Sequence, residues 1–378
     1  MNARWLPIIA AAAFAAAAAP AAAMPNFAQA YGLDCKACHT EVPALNSYGR
    51  YVQRTQYSAL DAETVQKAVP IWVGESATYD SSAGPPYKTK FGNFEIHADG
   101  FAGSDITFHI QQWLVEDDQS GGLDTAWISY NKLLKGQGHI VIGKQPVPSP
   151  SFFGFFSDLS PFSPSEATVG EHALLLDANR WGAKFAFTPR NYVAEIGWFG
   201  SGADLNGATD FSSAVEKGVQ WRLAYANAKK PFEAGFYGNW GSFGLSTGDL
   251  DRYSATGAYV QRDPKNGVPG VIALYQIGNE SNAGLDGDAN ALGSARSTGY
   301  SVGLFRPIFK NWENQLSLRA EGLTDGLGTT THSGNIDYSF RIYKYLHAYL
   351  EAGLAQNSTP AWRYQVWWTT PIDYTVRP

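Results

Sequence analysis

From Pro70 onward the chain alternates apolar and polar residues in stretch after stretch, most of them ten or more residues long. Successive side chains of a strand point to opposite faces, so this period of two marks strands with one dry and one wet side. In "NQLSLRAEGL", Leu316, Leu318 and Ala320 share one face and Gln315, Ser317, Arg319 and Glu321 the other. "NIDYSFRIY" sets Ile336, Tyr338, Phe340 and Ile342 against Asp337, Ser339 and Arg341. "LHAYLEAGL" sets Leu346, Ala348, Leu350, Ala352 and Leu354 against His347, Tyr349 and Glu351. A water-soluble sandwich alternates in the same way, so the decision rests on strand length, number and connection.

The pattern predicts about sixteen strands, near 70–79, 89–101, 104–116, 122–132, 138–147, 175–188, 190–200, 217–227, 232–242, 252–262, 269–279, 296–307, 312–323, 332–343, 346–357 and 361–375. Ten residues is long for a sandwich strand and right for a tilted strand crossing a bilayer. Connections after even-numbered strands are mostly short ("AGS", "PRN", "AKKP", "IFKN", "KY"), and several after odd-numbered strands are long (148–173, 201–216, 243–251, 280–295). Short turns at one end and long loops at the other are the plan of an outer-membrane barrel. Composition agrees: aromatic residues make 14% and charged residues 16% of the chain, with 39 glycines. Mean hydropathy is slightly below zero, as expected where lipid-facing and lumen-facing residues cancel. The fold class is therefore all-β, an antiparallel outer-membrane barrel over 70–378 with outer-membrane lipid around it. A net charge of −6 argues against a nucleic-acid partner.

Residues 1–23 read as a secretory signal peptide, with Arg4 before the apolar run "WLPIIAAAAFAAAAA" and "AAA" as a small-residue cleavage site. The alternative is a membrane anchor helix, for which the run is short and weakly apolar. No later segment holds the roughly 18 apolar residues of a transmembrane helix.

Between leader and barrel lies 24–69, a small helical segment containing Cys35-x-x-Cys38-His39, which holds both cysteines of the chain. Two thiols at i and i+3 can each bond a haem vinyl group, and the adjacent His39 then serves as proximal iron ligand. A zinc site needs four ligands and no second cysteine pair exists. A thioredoxin-like pair belongs in a βαβ setting, which is absent, and a disulfide across two residues is uncommon. The cofactor expected is one covalent haem c. Its second axial ligand stays open among Met24, the histidines and a vacant place. Pro43 suits a first helical turn, with Ala44, Leu45, Tyr48, Tyr51, Val52 and Thr55 following at helical spacing, and Asp61 caps a second short helix stopped by Pro70.

The run "MPNFAQAYGLDCKACHTEVPALNSYGRYVQRTQY" ahead of a barrel resembles the fused monohaem cytochrome–porins of the bacterial outer membrane, best known from iron-oxidising bacteria. The resemblance rests on "MPNFA", on Cys35, Cys38 and His39, and on "PALNSYGR", within residues 24 to about 57. It implies an electron carrier that oxidises extracellular Fe(II), or another donor, and passes electrons to a periplasmic carrier. The alternative is a diffusion channel whose haem-bearing segment anchors or gates it. Electron transfer needs no acid, base or nucleophile, so no catalytic side chain is expected.

A sixteen-stranded barrel has a lumen wide enough for a small plug, so 24–69 is expected in the lumen or its periplasmic mouth. Inward-facing histidines are then candidates to meet the haem. A turn at Ala102–Ser104 would set His97 opposite His109, and His347 also faces inward. His97 and His109 join Met24 as candidate distal ligands. Glu116, Asp117, Asp118, Asp124, Asp249, Asp251, Asp286 and Asp288 fall on the outer side as oxygen donors for Fe(II). The aromatic loop 148–173 is a candidate constriction or partner surface.

Overall fold

The structure, a computed structural model, describes residues 24–372 except 41, 43, 85–87, 117–118, 151–167, 170–171, 174–178, 201–215, 285–290, 309–310, 327, 344 and 357. Its sheet joins seventeen hydrogen-bonded segments, one of them the two-residue extension Gln119–Ser120 of a hairpin arm. The other sixteen are β1 (Ile71–Asp80), β2 (Thr89–Phe101), β3 (Ile106–Glu116), β4 (Leu123–Leu133), β5 (Gly138–Pro146), β6 (Asn179–Phe187), β7 (Tyr192–Gly200), β8 (Glu216–Ala226), β9 (Phe232–Gly244), β10 (Leu250–Arg262), β11 (Gly270–Glu280), β12 (Ala295–Ile308), β13 (Asn311–Thr324), β14 (Thr330–Tyr343), β15 (Leu346–Ala355) and β16 (Ala361–Pro371). The predicted strands match one for one. Positions 175–178 and 373–375 of the predicted strands lie outside the described residues, and the other boundaries agree to within two residues.

Each strand pairs antiparallel with its neighbour, and β1 pairs with both β2 and β16, so the sheet closes. Closure removes every edge, which hydrocarbon demands because it offers no partner to a bare N–H or C=O. No helix among the described residues is long and apolar enough to cross a membrane; the crossing is made by strands.

The burial pattern is the inverse of a soluble protein's. Ile128, Ile142, Ile196, Leu223, Phe236, Leu304 and Leu318 point outward and are exposed, while Glu95, Gln145, Gln220, Gln261, Gln315 and Glu321 point inward and are buried. Exposed aromatic side chains ring both ends: Tyr192, Phe232 and Tyr343 beside the short turns, Trp198, Trp240 and Trp362 beside the long loops. This is where rings with one apolar body and one polar edge settle. Ile142, 57% exposed at the middle of β5, tests the assignment. Arginine there is expected to cost about 2–4 kcal/mol, the usual penalty for a cation at mid-bilayer on a barrel's lipid face. The fraction of Ile142→Arg chains recovered in the fast-migrating, heat-modifiable form should fall accordingly.

Residues 24–69 fold into α1 (Pro25–Tyr31), a 3-10 turn (Cys35–Ala37), α2 (Ser47–Arg54) and α3 (Ala62–Val65). They pack inside the short-turn end of the barrel, and their partners lie all round it. Asn26 donates to Asp99 O on β2, Arg54 to Ala226 O on β8, Ser47 N to Asp263 beyond β10, and Tyr349 on β15 donates to Val42 O. The Asp61 cap is present, accepting from Thr64 N at 2.8 Å. The first predicted helix starts later than expected. Pro43 lies outside the described residues, and α2 begins at Ser47 because the Asn46 side chain accepts from Tyr48 N and Gly49 N, as a good N-cap does.

Candidate haem-attachment site in the barrel mouth

The 3-10 turn brings Cys35, Cys38 and His39 together. Cys38 N and His39 N both donate to Cys35 O at 3.0 Å, and Asp34 accepts from Lys36 N. The thiols are not joined to one another. Burial, with Cys35 adding to it, pushes the Cys38 thiol up to about 11. Asn46 holds the motif against α2: its side-chain amide donates to Lys36 O and Ala37 O while its oxygen caps the helix. Gly49 lets the helix come this close, since a Cβ there would stand 2.0 Å from Cys38 O. Gly49→Ala is therefore expected to push α2 off the turn, at a cost of about 1–3 kcal/mol as in other overpacked sites. Limited proteolysis of folded protein should show faster cleavage within 24–69.

The wall of the site is aromatic. Cys35 clusters with Val42 and Tyr345, and Ala28, Trp367 and Trp368 pack against them. The buried Trp368 Nε1 has no hydrogen-bond partner, and Arg341 reaches Asp34 at 3.6 Å. Two thiols outside any disulfide, an adjacent imidazole, an aromatic wall and an unmatched indole N–H fit a covalently held haem. They would supply sulfur for two thioethers, an iron ligand, contact for the macrocycle and a donor for a propionate oxygen.

The second-ligand candidates fall in two places. His347 faces into the lumen beside the motif, where His39 and Arg341 are among the groups acting on it. His97 and His109 sit elsewhere, and their register differs from the expected one: His97 pairs with Gln111, and His109 with Asp99. The turn is centred one residue later than expected, with Phe101 opposite Thr107 and Gly103 in the left-handed region. A pairing shift of two keeps both histidines inward. Their rings are 5.8 Å apart, with Trp72 stacked on His97 at 3.5 Å and Trp127 on His109 at 5.7 Å. Met24 packs against the neighbouring cluster of Phe27, Tyr57 and Trp127, not in the cluster around Cys35.

The plug is locked by charge. Arg50 lies 2.8 Å from Asp263 and 3.3 Å from Glu233, and Arg54 lies 4.0 Å from Glu233, all of them buried. Burial, with Arg222 and Arg50 adding and Glu233 opposing, lowers Arg54 to about 10, so it stays charged at neutral pH. Of the residues at helical spacing, Ala44, Val52 and Thr55 are buried and Leu45 and Tyr51 partly so. Tyr48 is instead exposed, and the buried positions within α2 are Gly49, Arg50, Val52 and Arg54. Two residues in the left-handed region, Gln56 and Tyr57, then swing the Tyr57 ring toward His109, with Oη 3.3 Å from its Nδ1.

No family model matches the chain, and no curated protein matches it. Solved structures do. The anion-selective porin of Comamonas acidovorans superposes with a TM-score of 0.55 at 13% identity, over 80% of this chain and 98% of that one. A porin refined at 1.8 Å resolution gives 0.55 at 12%, over 79% and 99%. Salmonella typhi OmpF, in complex with daunomycin, gives 0.53 at 12%, over 79% and 96%. The fold is that of the porin-like outer-membrane barrels. At these identities the likeness concerns the fold alone.

At the long-loop end of this porin-like barrel, the three acidic candidates whose side chains are described are engaged. Asp251 is buried and accepts from Ser281 and Asn282, Asp124 accepts from Asn179, and the exposed Asp249 accepts from Thr247. Asp117, Asp118, Asp286 and Asp288, the side chain of Glu116, and most of the loop 148–173 lie outside the described residues.

Proposed function

We propose that this porin-like barrel is an outer-membrane electron conduit: residues 24–69 carry one covalent haem c on Cys35 and Cys38 with His39 as proximal ligand, and hold it in the periplasmic mouth. The observation that supports it is the position of the Cys35–His39 turn, inside the closed barrel at the end where short turns and the barrel's first strand begin. The bilayer's hydrocarbon core is about 30 Å thick. A redox group at the periplasmic end of the lumen is wetted from one side by the periplasm and approached from the other through the lumen. Bound haem supplies a one-electron couple. Val42, Tyr345 and Trp367 exclude water from Cys35, Asn46 fixes the turn, and Trp368 Nε1 and Arg341 offer donors to acidic groups. His347, which faces the lumen beside the motif, is a candidate second axial ligand. The donor proposed is extracellular Fe(II), a small ion able to enter a lumen in which Glu195, Glu216 and Glu233 are paired with Lys184, Arg180 and Arg222, and the acceptor a soluble periplasmic carrier.

The fold favours a second reading, a diffusion channel whose haem-bearing segment anchors or gates it; one neighbour is described as an anion-selective porin. Vesicles bearing the purified protein, with a one-electron acceptor dye trapped inside and Fe(II) added outside, separate the two. Dye reduction together with a c-type absorbance band is the result expected for the conduit. A haem band with no dye reduction, in vesicles that swell in small solutes, selects the channel. Absence of any c-type band defeats both haem-bearing readings.

A further inference from the structure

The geometry points to a metal-ion site, separate from the haem motif, formed by His97, Asp99 and His109. The nearest ligand atoms of the three all lie within 4.8 Å of one another, and the residues are 4%, 0% and 7% exposed. An ion bound at about 2.0–2.2 Å to nitrogen and oxygen donors separates them by about 3–4 Å, so small side-chain rotations close the site. Neither ring nitrogen of His97 has a hydrogen-bond partner. A buried imidazole with both nitrogens unmatched is a costly arrangement unless something takes up a lone pair. Glu95 Oε2 approaches His97 Nε2 to 2.9 Å, but without the alignment of a hydrogen bond.

The surroundings are those of oriented ligands. Trp72 Nε1 donates to Asp99 Oδ2 at 2.7 Å and its ring stacks on His97. His109 Nδ1 touches Asp99 Oδ1, which leaves the His109 lone pair on Nε2. Glu95 is itself held by Gln111 at 2.9 Å. Partners behind the ligands fix their direction and raise their basicity. All three ligands come from the β2–β3 hairpin, so the barrel wall alone assembles the site. The plug then covers it: Tyr57 sits over His109 in a strained left-handed conformation, and Asn26 bonds the backbone of Asp99. Strain of this kind persists where the surroundings fix it, commonly at functional places. Two imidazoles and one carboxylate suit a borderline first-row ion such as Zn(II) or Fe(II), whereas Mg(II) and Ca(II) prefer oxygen donors alone.

The test uses the full-length protein in detergent. Elemental analysis as isolated, and Co(II) uptake after prolonged dialysis against a chelator, are expected to give one metal per chain beyond the haem iron, with visible Co(II) d–d bands. His97→Gln, Asp99→Asn and His109→Gln should each abolish that metal, while His332→Gln, distant on β14, keeps it. Trp72→Phe should weaken Co(II) binding by about 10–100-fold, the usual loss on removing a partner behind a ligand. Heat-modifiable mobility confirms that each variant is folded. No metal beyond haem iron with no Co(II) uptake, or uptake unchanged in all three folded variants, overturns the proposal. So does a shifted haem Soret band in the His97 or His109 variants, which would make them haem ligands. A missing haem alone leaves the metal count readable, so the two readings fail separately.

Discussion

On the proposed haem attachment, replacing Cys35 and Cys38 together with serine is expected to abolish covalent haem and leave the barrel folded. Covalent attachment needs a sulfur at each vinyl group, and the chain has only these two cysteines, so no second place can take the cofactor. Serine is nearly the same size but forms no thioether. Each single variant should keep one linkage, and with it a pyridine haemochrome band displaced from that of the wild type. The double variant should show no haem peroxidase stain on a denaturing gel and no c-type band. The barrel should tolerate the change because its stability lies in the closed ladder of sixteen strands. Among the described residues, Cys35 clusters with Tyr345, just before β15, and Trp367 and Trp368 of β16 pack against that cluster. Heat-modifiable mobility therefore stays that of the wild type. Covalent haem persisting in the double variant would sink the assignment of the Cys35–His39 turn.

What the sequence made legible follows from what physics writes into it. A strand between lipid and lumen must alternate at every step, so Leu316 to Glu321 or Ile336 to Arg341 could be assigned to faces without any partner in view. The length of a membrane-crossing strand is fixed by the bilayer, which kept the strand boundaries close. Turn chemistry is weaker information. Nothing in "GFAGSD" says whether the hairpin is centred at Gly103 or one residue later, and that single step moved the partner of His109 from His97 to Asp99. At helix α2 apolar spacing finds Val52 and Thr55, which are buried, but not Arg50 and Arg54, which are buried as well. Apolar spacing finds the buried face of a helix when the surroundings are apolar, and here they are the polar wall of a lumen. The face that docks thus also carries Arg50 and Arg54, and Tyr48 is left exposed. The left-handed turn at Gln56 and Tyr57 has no glycine or asparagine to announce it. It is imposed by packing of Tyr57 against Phe27, Trp127 and His109, a tertiary cause that no local pattern carries.

Arg50→Met is expected to loosen the plug and open the lumen. The guanidinium bridges Asp263 and Glu233 from two sides, in a place where all three groups are buried. Removing one partner of a buried pair costs about 3–5 kcal/mol, because the charge left behind has lost both water and its counter-ion. The two carboxylates are not equally abandoned. Glu233 keeps Arg222 at 3.7 Å and Arg54 at 4.0 Å, and accepts from Tyr259 at 2.6 Å. Asp263 keeps the backbone N–H of Ser47 at 2.8 Å, which belongs to the same segment that has been loosened. Most of the penalty therefore falls on Asp263. Undocking the segment lets water return to that carboxylate, so the cost is relieved by release of the plug rather than by unfolding of the barrel. A shift of 3–5 kcal/mol changes the ratio of docked to undocked plug by about a hundredfold to a thousandfold or more. In planar bilayers the variant should show larger and more frequent openings than the wild type, and protease should cut residues 24–69 faster. Asp263→Asn in the same chain removes the stranded charge and should restore part of the docking, a coupling that a double-mutant cycle reads directly. Unchanged conductance with unchanged cleavage would show that the ion pairs do not hold the plug. The haem on a loosened plug is expected to stay attached through its thioethers while dye reduction across the vesicle membrane falls, which separates carrying the cofactor from holding it where both sides of the membrane reach it.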